Sequence, residues 1–283
     1  MNSMRDQAFM TFVRLLPKAA LSRAVGMATR APAPPSLHRL AMRAFSGIYG
    51  VALEEAEHGP EGYQTFSDFF ARRLKPGART VDADARAVVS PVDGTVSQVG
   101  YAETGNCLQA KGVCYPLDKL LGGAEAAAPF HGGAYATLYL APRDYHRIHA
   151  PVDGAITGYS YIPGKFWPVN PVSVRSVEAL FCINERLVTY LDTRIGPCAV
   201  VKVGATCVAR IKAAYDSVVT NNGDVAKVHR YAQPPKVSKG DELGAFEMGS
   251  TVIVLFAENR VKWDSALLPE TQVRMGQRIG EMA

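Results

Sequence analysis

The stretch that most constrains this chain is Phe246-Glu-Met-Gly-Ser-Thr-Val-Ile-Val-Leu-Phe256. Its second half, Val252 to Phe256, is an unbroken apolar run of strand length rich in β-branched residues, which reads as a buried strand. Three small residues, Gly249-Ser250-Thr251, stand directly before it, where a tight turn would deliver the backbone into the sheet.

Two readings of the Gly249–Ser250 bond follow. In the first it is ordinary turn chemistry, with the serine hydroxyl bonding to nearby backbone. In the second, glycine tolerates restricted φ/ψ and leaves its carbonyl open to attack by the Ser250 hydroxyl. That attack turns the amide into an ester. β-Elimination then leaves dehydroalanine at position 250, and hydrolysis of that residue leaves a pyruvoyl group capping a new chain.

The 283 residues suffice for a full core, in one large domain or two small ones. Gln64 to Arg79, with Phe66, Phe69, Phe70 and Leu74, reads as a helix that ends in the turn Lys75-Pro76-Gly77. Beyond it, short β-rich runs alternate with Gly, Pro and Asp punctuation, the pattern of a sandwich or barrel. The expected strands are 134–140, 187–192, 198–203, 206–211 and 252–256.

The formal charge of +5 is unevenly spread. Residues 1–50 hold seven Lys/Arg and one acid, net +6, whereas residues 51–283 hold 24 basic and 25 acidic residues, net −1. Phe9, Phe12, Val13 and Leu16 follow helical spacing with Thr11, Arg14 and Lys18 opposite, up to a break at Pro17. After Pro32, Pro34 and Pro35, Ser36 is placed to cap a second amphipathic segment carrying Leu37, Leu40, Phe45 and Ile48. Such helices suit an anionic bilayer surface, at about 1 kcal/mol per basic residue; packing on the main domain is the alternative. Basic and aromatic residues are not interleaved on one face, so no nucleic acid is expected. No secretory signal or membrane span is visible.

Five cysteines, Cys107, Cys114, Cys182, Cys198 and Cys207, form no Cys-x-x-Cys pair and read as reduced, mostly buried thiols. Ser90-Pro-Val-Asp-Gly-Thr-Val96 recurs as Ala150-Pro-Val-Asp-Gly-Ala-Ile156, and each Asp-Gly is expected to make a tight hairpin turn. Between the copies, His146 and His149 lie three residues apart. Their spacing is not His-Glu-x-x-His and no third ligand clusters nearby, so no metal is expected; a histidine taking a serine proton is the simpler reading. Residues 159–171 are aromatic and proline-rich, suited to a lid, a membrane contact or packing over the core.

With Asp93, the two histidines and Gly249-Ser250-Thr251 in hand, the chain resembles the pyruvoyl-dependent phosphatidylserine decarboxylases of the bacterial proenzyme type. The likeness runs through Leu16-Pro17-Lys18, Phe69-Phe70, Leu74-Lys75-Pro76-Gly77, Gln109-Ala-Lys-Gly112, Asn184-Glu-Arg186, Val203-Gly-Ala205 and Lys239-Gly-Asp241. Met248 departs from the family's usual Leu, a volume-conserving exchange.

The resemblance implies an α+β fold: a basic helical membrane-associating region over 1–80, then a mainly β catalytic domain over 81–283 similar to the lipoyl/biotinyl barrel-sandwich hybrids. It implies that Asp93, His149 and Ser250 form the self-cleavage triad, with His149 taking the serine proton and Asp93 orienting its imidazole. His146 falls on a position tied to decarboxylation, and Asp153 stays a turn residue. Cleavage would give a β chain of 1–249 and an α chain of 250–283, paired as a heterodimer with room for a higher oligomer. The pyruvoyl group at position 250 would form a Schiff base with phosphatidylserine and yield phosphatidylethanolamine at the cytoplasmic face of the cell membrane. Rival expectations are a pyruvoyl decarboxylase of a soluble amino acid, a Ser-His-Asp hydrolase, against which the absent Gly-x-Ser-x-Gly counts, and a non-catalytic membrane-tethered module.

Overall fold

The computed structural model describes residues 4–110, 113–206, 210–223, 225–247 and 251–283. Three helices come first: α1 (Met4–Leu15), α2 (Lys18–Arg30) and α3 (Pro35–Tyr49), with a short α4 at Phe66–Phe70. Pro17 ends α1 as expected, but α2 begins directly after it, so the break is a corner between two helices. The cap of α3 is Pro34, not Ser36, because Pro35 already has the helical φ of a first-turn residue. Gly50, left-handed at φ 73°, closes it.

The helix expected over 64–79 is cut to one turn and a half. Thr65 caps it by accepting from the Asp68 amide at 3.1 Å, but the chain turns away after Phe70. Lys75 N instead donates to Glu55 O at 2.9 Å, and Leu74 bridges Ala56. Tertiary partners for the backbone thus override local helical preference.

The β part is dominated by one antiparallel nine-stranded sheet. Thr251–Phe256 lies inside it, between Gly196–Val203 and Ala134–Tyr139, with Thr251 level with both Val203 and Tyr139. All six residues of that strand are buried. Outward from Gly196–Val203 come Arg186–Thr193, Gly154–Ile162 and Lys227–Arg230; outward from Ala134–Tyr139 come Gly94–Tyr101 and Gln272–Val273. The two ends do not pair with each other among the described residues, so the sheet is open and no closed barrel forms. Four of the five expected strands are present with slightly different bounds. The exception is 206–211, where Thr206 lies in a turn, 207–209 lie outside the described residues and the strand is Ile211–Ala213.

Neither Pro-Val-Asp-Gly copy makes a hairpin. Each instead enters a long strand, Gly94–Tyr101 or Gly154–Ile162, and the residues leading into the two copies pair with each other, with Val89 N donating to Pro151 O at 3.0 Å and His149 N to Pro91 O at 2.8 Å. Glycine is required by close approach: a Cβ on Gly94 would sit 2.5 Å from Tyr139 O, and one on Gly154 would sit 2.6 Å from Asp192 O.

A small second core of Met42, Val51 and Phe69 ties α3 to α4. Other contacts fasten the first helices to the β part: Lys18 lies 4.2 Å over the Trp167 ring, and Arg30 pairs with Glu247 at 3.0 Å. Residues 159–171 pack inward, with Tyr159, Tyr161, Phe166 and Val169 all buried. Among the described residues Cys107, Cys114, Cys182 and Cys198 are free; Cys107 and Cys198 are buried and Cys114 is exposed, and Cys207 lies outside them. Gly94→Ala is expected to destabilise the protein by about 1–3 kcal/mol, since the obstructing atom is sheet backbone; a denaturant melt that leaves the midpoint unchanged would contradict this packing.

Candidate active site

The short strand Arg147–His149 pairs antiparallel with Glu242–Phe246, with His149 level with Glu242 and Arg147 level with Ala245. Phe246 N donates to His146 O at 3.0 Å, extending the ladder by one residue. Both histidines therefore lie along the strand that leads toward Gly249-Ser250. Gly249 and Ser250 themselves, with Met248, lie outside the described residues. On the near side Glu247 is clamped by Arg30 and by Lys212 at 2.6 Å. On the far side Thr251 is buried, its hydroxyl without a partner among the described residues.

His149 is nearly sealed, and both ring nitrogens are engaged. Nδ1 lies 2.7 Å from Gly240 O, and because a carbonyl only accepts, the proton is on Nδ1. Nε2 then carries the lone pair and accepts from the Tyr145 hydroxyl at 3.1 Å. The Tyr145 ring stacks on the imidazole at 5.6 Å, and burial pushes its phenol up to about 12, so it remains a donor. Burial lowers the His149 pKa below its ordinary 6.5, opposed by the Gly240 hydrogen bond and the nearby charges of Glu242 and Asp93. The neutral ring, the form a base needs, is thus the one present at pH 7.

His146 is fully buried, its ring 4.1 Å from that of Phe70. Nδ1 donates to Asp144 O at 2.8 Å, while Nε2 has no partner among the described residues. Burial, with the Arg72 charge, pushes its pKa down to about 3. It is a neutral imidazole with a free acceptor.

Asp93 lies in the same region without touching His149. Its carboxylate accepts from Arg79 Nε at 2.9 and 3.1 Å, again from Arg79 Nη2, and from Met275 N at 2.8 Å. Arg79 also donates to Glu55 at 2.7 Å, and this bond holds the Glu55 carboxyl below its usual range. The structure thus brings Asp93 and His149 into one electrostatic neighbourhood, while Gly240 O holds the imidazole. Asp153 is exposed and accepts at 2.7 Å from Lys239 N, 86 residues further on, so its bond is a tertiary contact and not the turn bond expected of it.

Three contributors escaped the sequence reading. Arg79 sat in a segment expected to be helical; Gly240 acts through its carbonyl, which leaves no side-chain signal; Tyr145 had only its place beside His146 to mark it. Among the described residues no three His, Cys, Asp or Glu side chains cluster as metal ligands.

The family profile described as Phosphatidylserine decarboxylase matches residues 66–281. The chain is 64% identical over 277 residues to the phosphatidylserine decarboxylase proenzyme of Myxococcus xanthus (strain DK1622), covering 98% of this chain and 99% of the relative. Against the proenzyme of the same name from Anaeromyxobacter sp. (strain K) it is 54% identical over 283 residues, covering 99% and 100%. Against that of Azotobacter vinelandii (strain DJ / ATCC BAA-1303) it is 44% identical over 286 residues, covering 98% and 99%. The chain therefore belongs to the phosphatidylserine decarboxylase family.

Proposed function

We propose that this chain converts phosphatidylserine to phosphatidylethanolamine after cleaving itself between Gly249 and Ser250. The observation that carries the reading is the His149 tautomer, a buried neutral imidazole with its basic nitrogen at Nε2, on the strand paired with the segment leading to that bond. Family membership supplies the substrate.

In this reading His149 Nε2 takes the Ser250 hydroxyl proton, directly once Tyr145 yields or through the phenol. The alkoxide attacks the Gly249 carbonyl and displaces the Ser250 nitrogen, which leaves as a free amine. β-Elimination of the ester releases the Gly249 carboxylate and leaves dehydroalanine, and water hydrolyses that residue to the pyruvoyl group with loss of ammonia, dividing the large chain (1–249) from the small chain (250–283). Asp93 acts at a distance: its negative charge, held by Arg79 and Met275 N, favours the imidazolium that forms. The unpartnered Thr251 hydroxyl and His146 Nε2 are polar atoms that a carbonyl-bearing group and its substrate would satisfy. A pyruvoyl group at position 250 supplies the electron sink for loss of CO₂. His146, neutral and carrying a free acceptor, can hold the substrate amine while apolar Phe70 excludes water from its other face.

The helical region is read as a peripheral anchor on the cytoplasmic face of the cell membrane. Phe12, Leu15, Leu37, Leu40 and Ile48 are exposed on helices that also carry the basic surplus. No helix among the described residues is long and apolar enough to cross a membrane. The β part is read as kin to the lipoyl/biotinyl hybrids. Residues 1–80 and 81–283 are read as the two functional parts of the chain, and the processed protein as a heterodimer of 1–249 and 250–283.

Intact-mass analysis is expected to show two fragments divided after Gly249, the smaller of 34 residues without a free amino terminus. Ser250→Ala and His149→Ala should stay whole, whereas His146→Ala should cleave yet decarboxylate poorly. A single intact chain in active protein overturns the mechanism. Because cleavage needs neutral His149 and its pKa lies below 6.5, the processing rate should be level through neutral pH and fall only below the ordinary histidine range. Asp93→Asn should move that acid limb lower still, since Asp93 holds the pKa up. Replacing Phe12, Leu15, Leu40 and Ile48 together by Ser should weaken binding to anionic vesicles by at least roughly tenfold in a flotation assay, each side chain being largely exposed and available for burial in the bilayer.

A further inference from the structure

Beside the imidazole lies a polar cavity of about 590 Å³, whose wall includes Asp93, Tyr145 and four arginines. Three of those arginines have carboxylate partners. Arg79 is held by Asp93 and Glu55, Arg274 approaches Glu55 at 3.4 Å, and Arg143 lies 3.8 Å from Asp144. Arg72 differs.

Arg72 is 3% exposed, and no carboxylate pairs with it among the described residues. Its Nη2 donates to the carbonyls of Arg143 at 2.9 Å and Asp144 at 3.2 Å and its guanidinium lies 5.8 Å over the Phe69 ring, but Nε and Nη1 have no hydrogen-bond partner among the described residues. Burial even lowers its pKa. Asp93, Asp144 and Glu55 reach this guanidinium only through the field, and a buried guanidinium without a contacting carboxylate or full hydrogen bonding is an unfavourable arrangement unless an anion completes it. The charge is within reach of His146, whose pKa it depresses, and the cavity it lines reaches Tyr145, the partner of His149. Gly50, directly after the exposed Ile48 and Tyr49 of α3, lines the same cavity, so its wall starts next to the surface read as facing lipid.

We infer that Arg72, with Arg143 at the rim, receives the phosphodiester of the substrate's serine headgroup. The inference rests on the decarboxylase reading above and assigns this cavity within it. The headgroup offers two anions, and the chemistry separates them. A carboxylate clamped by a guanidinium is stabilised in the ground state, which opposes its departure as CO₂. The phosphodiester keeps its charge throughout, so holding it orients the amine without resisting the reaction.

The test uses Arg72→Gln, Arg72→Lys and Arg143→Gln in the full chain, with processing read by intact mass, turnover on phosphatidylserine in mixed micelles, and ligand-observed NMR for soluble probes. Glycerophosphoethanolamine has the phosphodiester and no carboxylate; L-serine has the carboxylate and no phosphate. Arg72→Gln should raise KM for phosphatidylserine and weaken glycerophosphoethanolamine binding by about tenfold or more, as loss of a charge-assisted contact does, with serine binding within about twofold. Arg72→Lys should recover part of the loss, and inorganic phosphate should displace glycerophosphoethanolamine. Weakened serine binding with glycerophosphoethanolamine unchanged would make Arg72 a carboxylate holder, and phosphate binding without displacement would make the cavity a free-anion site; either overturns the assignment. Should Arg72→Gln remain unprocessed, Arg143→Gln decides. Its side chain is half exposed and its carbonyl is unaltered, so processing should persist while KM rises about threefold; an unchanged KM there overturns the inference. Wild-type protein that neither cleaves nor releases CO₂ would sink the decarboxylase reading itself, whatever the probes bind.

Discussion

The pairing of Thr251–Phe256 with a strand on each side is the constraint on which the rest depends. Six consecutive residues are buried there, so every backbone donor and acceptor has to find its partner within the sheet. That requirement fixes Gly196–Val203 and Ala134–Tyr139 in register and anchors the chain immediately after Ser250. In the proposed self-cleavage this anchor restrains the chain on the downstream side of the bond, and an intramolecular acyl shift depends on such restraint.

The approach to that bond is held by different means. Glu242–Phe246 hydrogen-bonds to Arg147–His149 through a register irregularity between Glu242 and Gly244, and Glu247 is pinned by cations from α2 and from Lys212. One clamp of the segment before the bond therefore comes from the helical region. The same region reaches the site through packed rings, Phe45 edge-on to Phe70 at 6.0 Å and Phe70 tilted against His146 at 4.1 Å. The helical region is thus continuous, through packed aromatic rings, with the buried His146 imidazole.

Electrostatics here work by burial more than by direct pairing. His146 and His149 are both kept neutral because charging them would cost desolvation. Asp93 meanwhile spends its hydrogen-bonding capacity on Arg79 and Met275 N. Its influence on His149 passes through the field and not through a shared proton, so backbone geometry at Gly240 governs which ring nitrogen is basic.

Much of this was legible from residue order. The apolar run at 252–256, the break at Pro17, the basic amphipathic start and the short β runs each carry their signal locally, in periodicity or in a proline, and the motifs naming the family are local too. What only the tertiary structure decided depends on atoms far apart in sequence. The helix expected over 64–79 stops at Phe70 because Glu55 and Ala56 offer its backbone better partners. The Asp-Gly pairs open long strands instead of hairpins, their glycines fitting against Tyr139 and Asp192 backbone. Among the described residues Arg72 lacks a carboxylate contact because Asp93 and Glu55 are held by Arg79. A sequence specifies which groups a chain carries and how each turn prefers to bend; which carboxylate meets which arginine is settled by packing, since burial alone makes such choices cost enough to be unique.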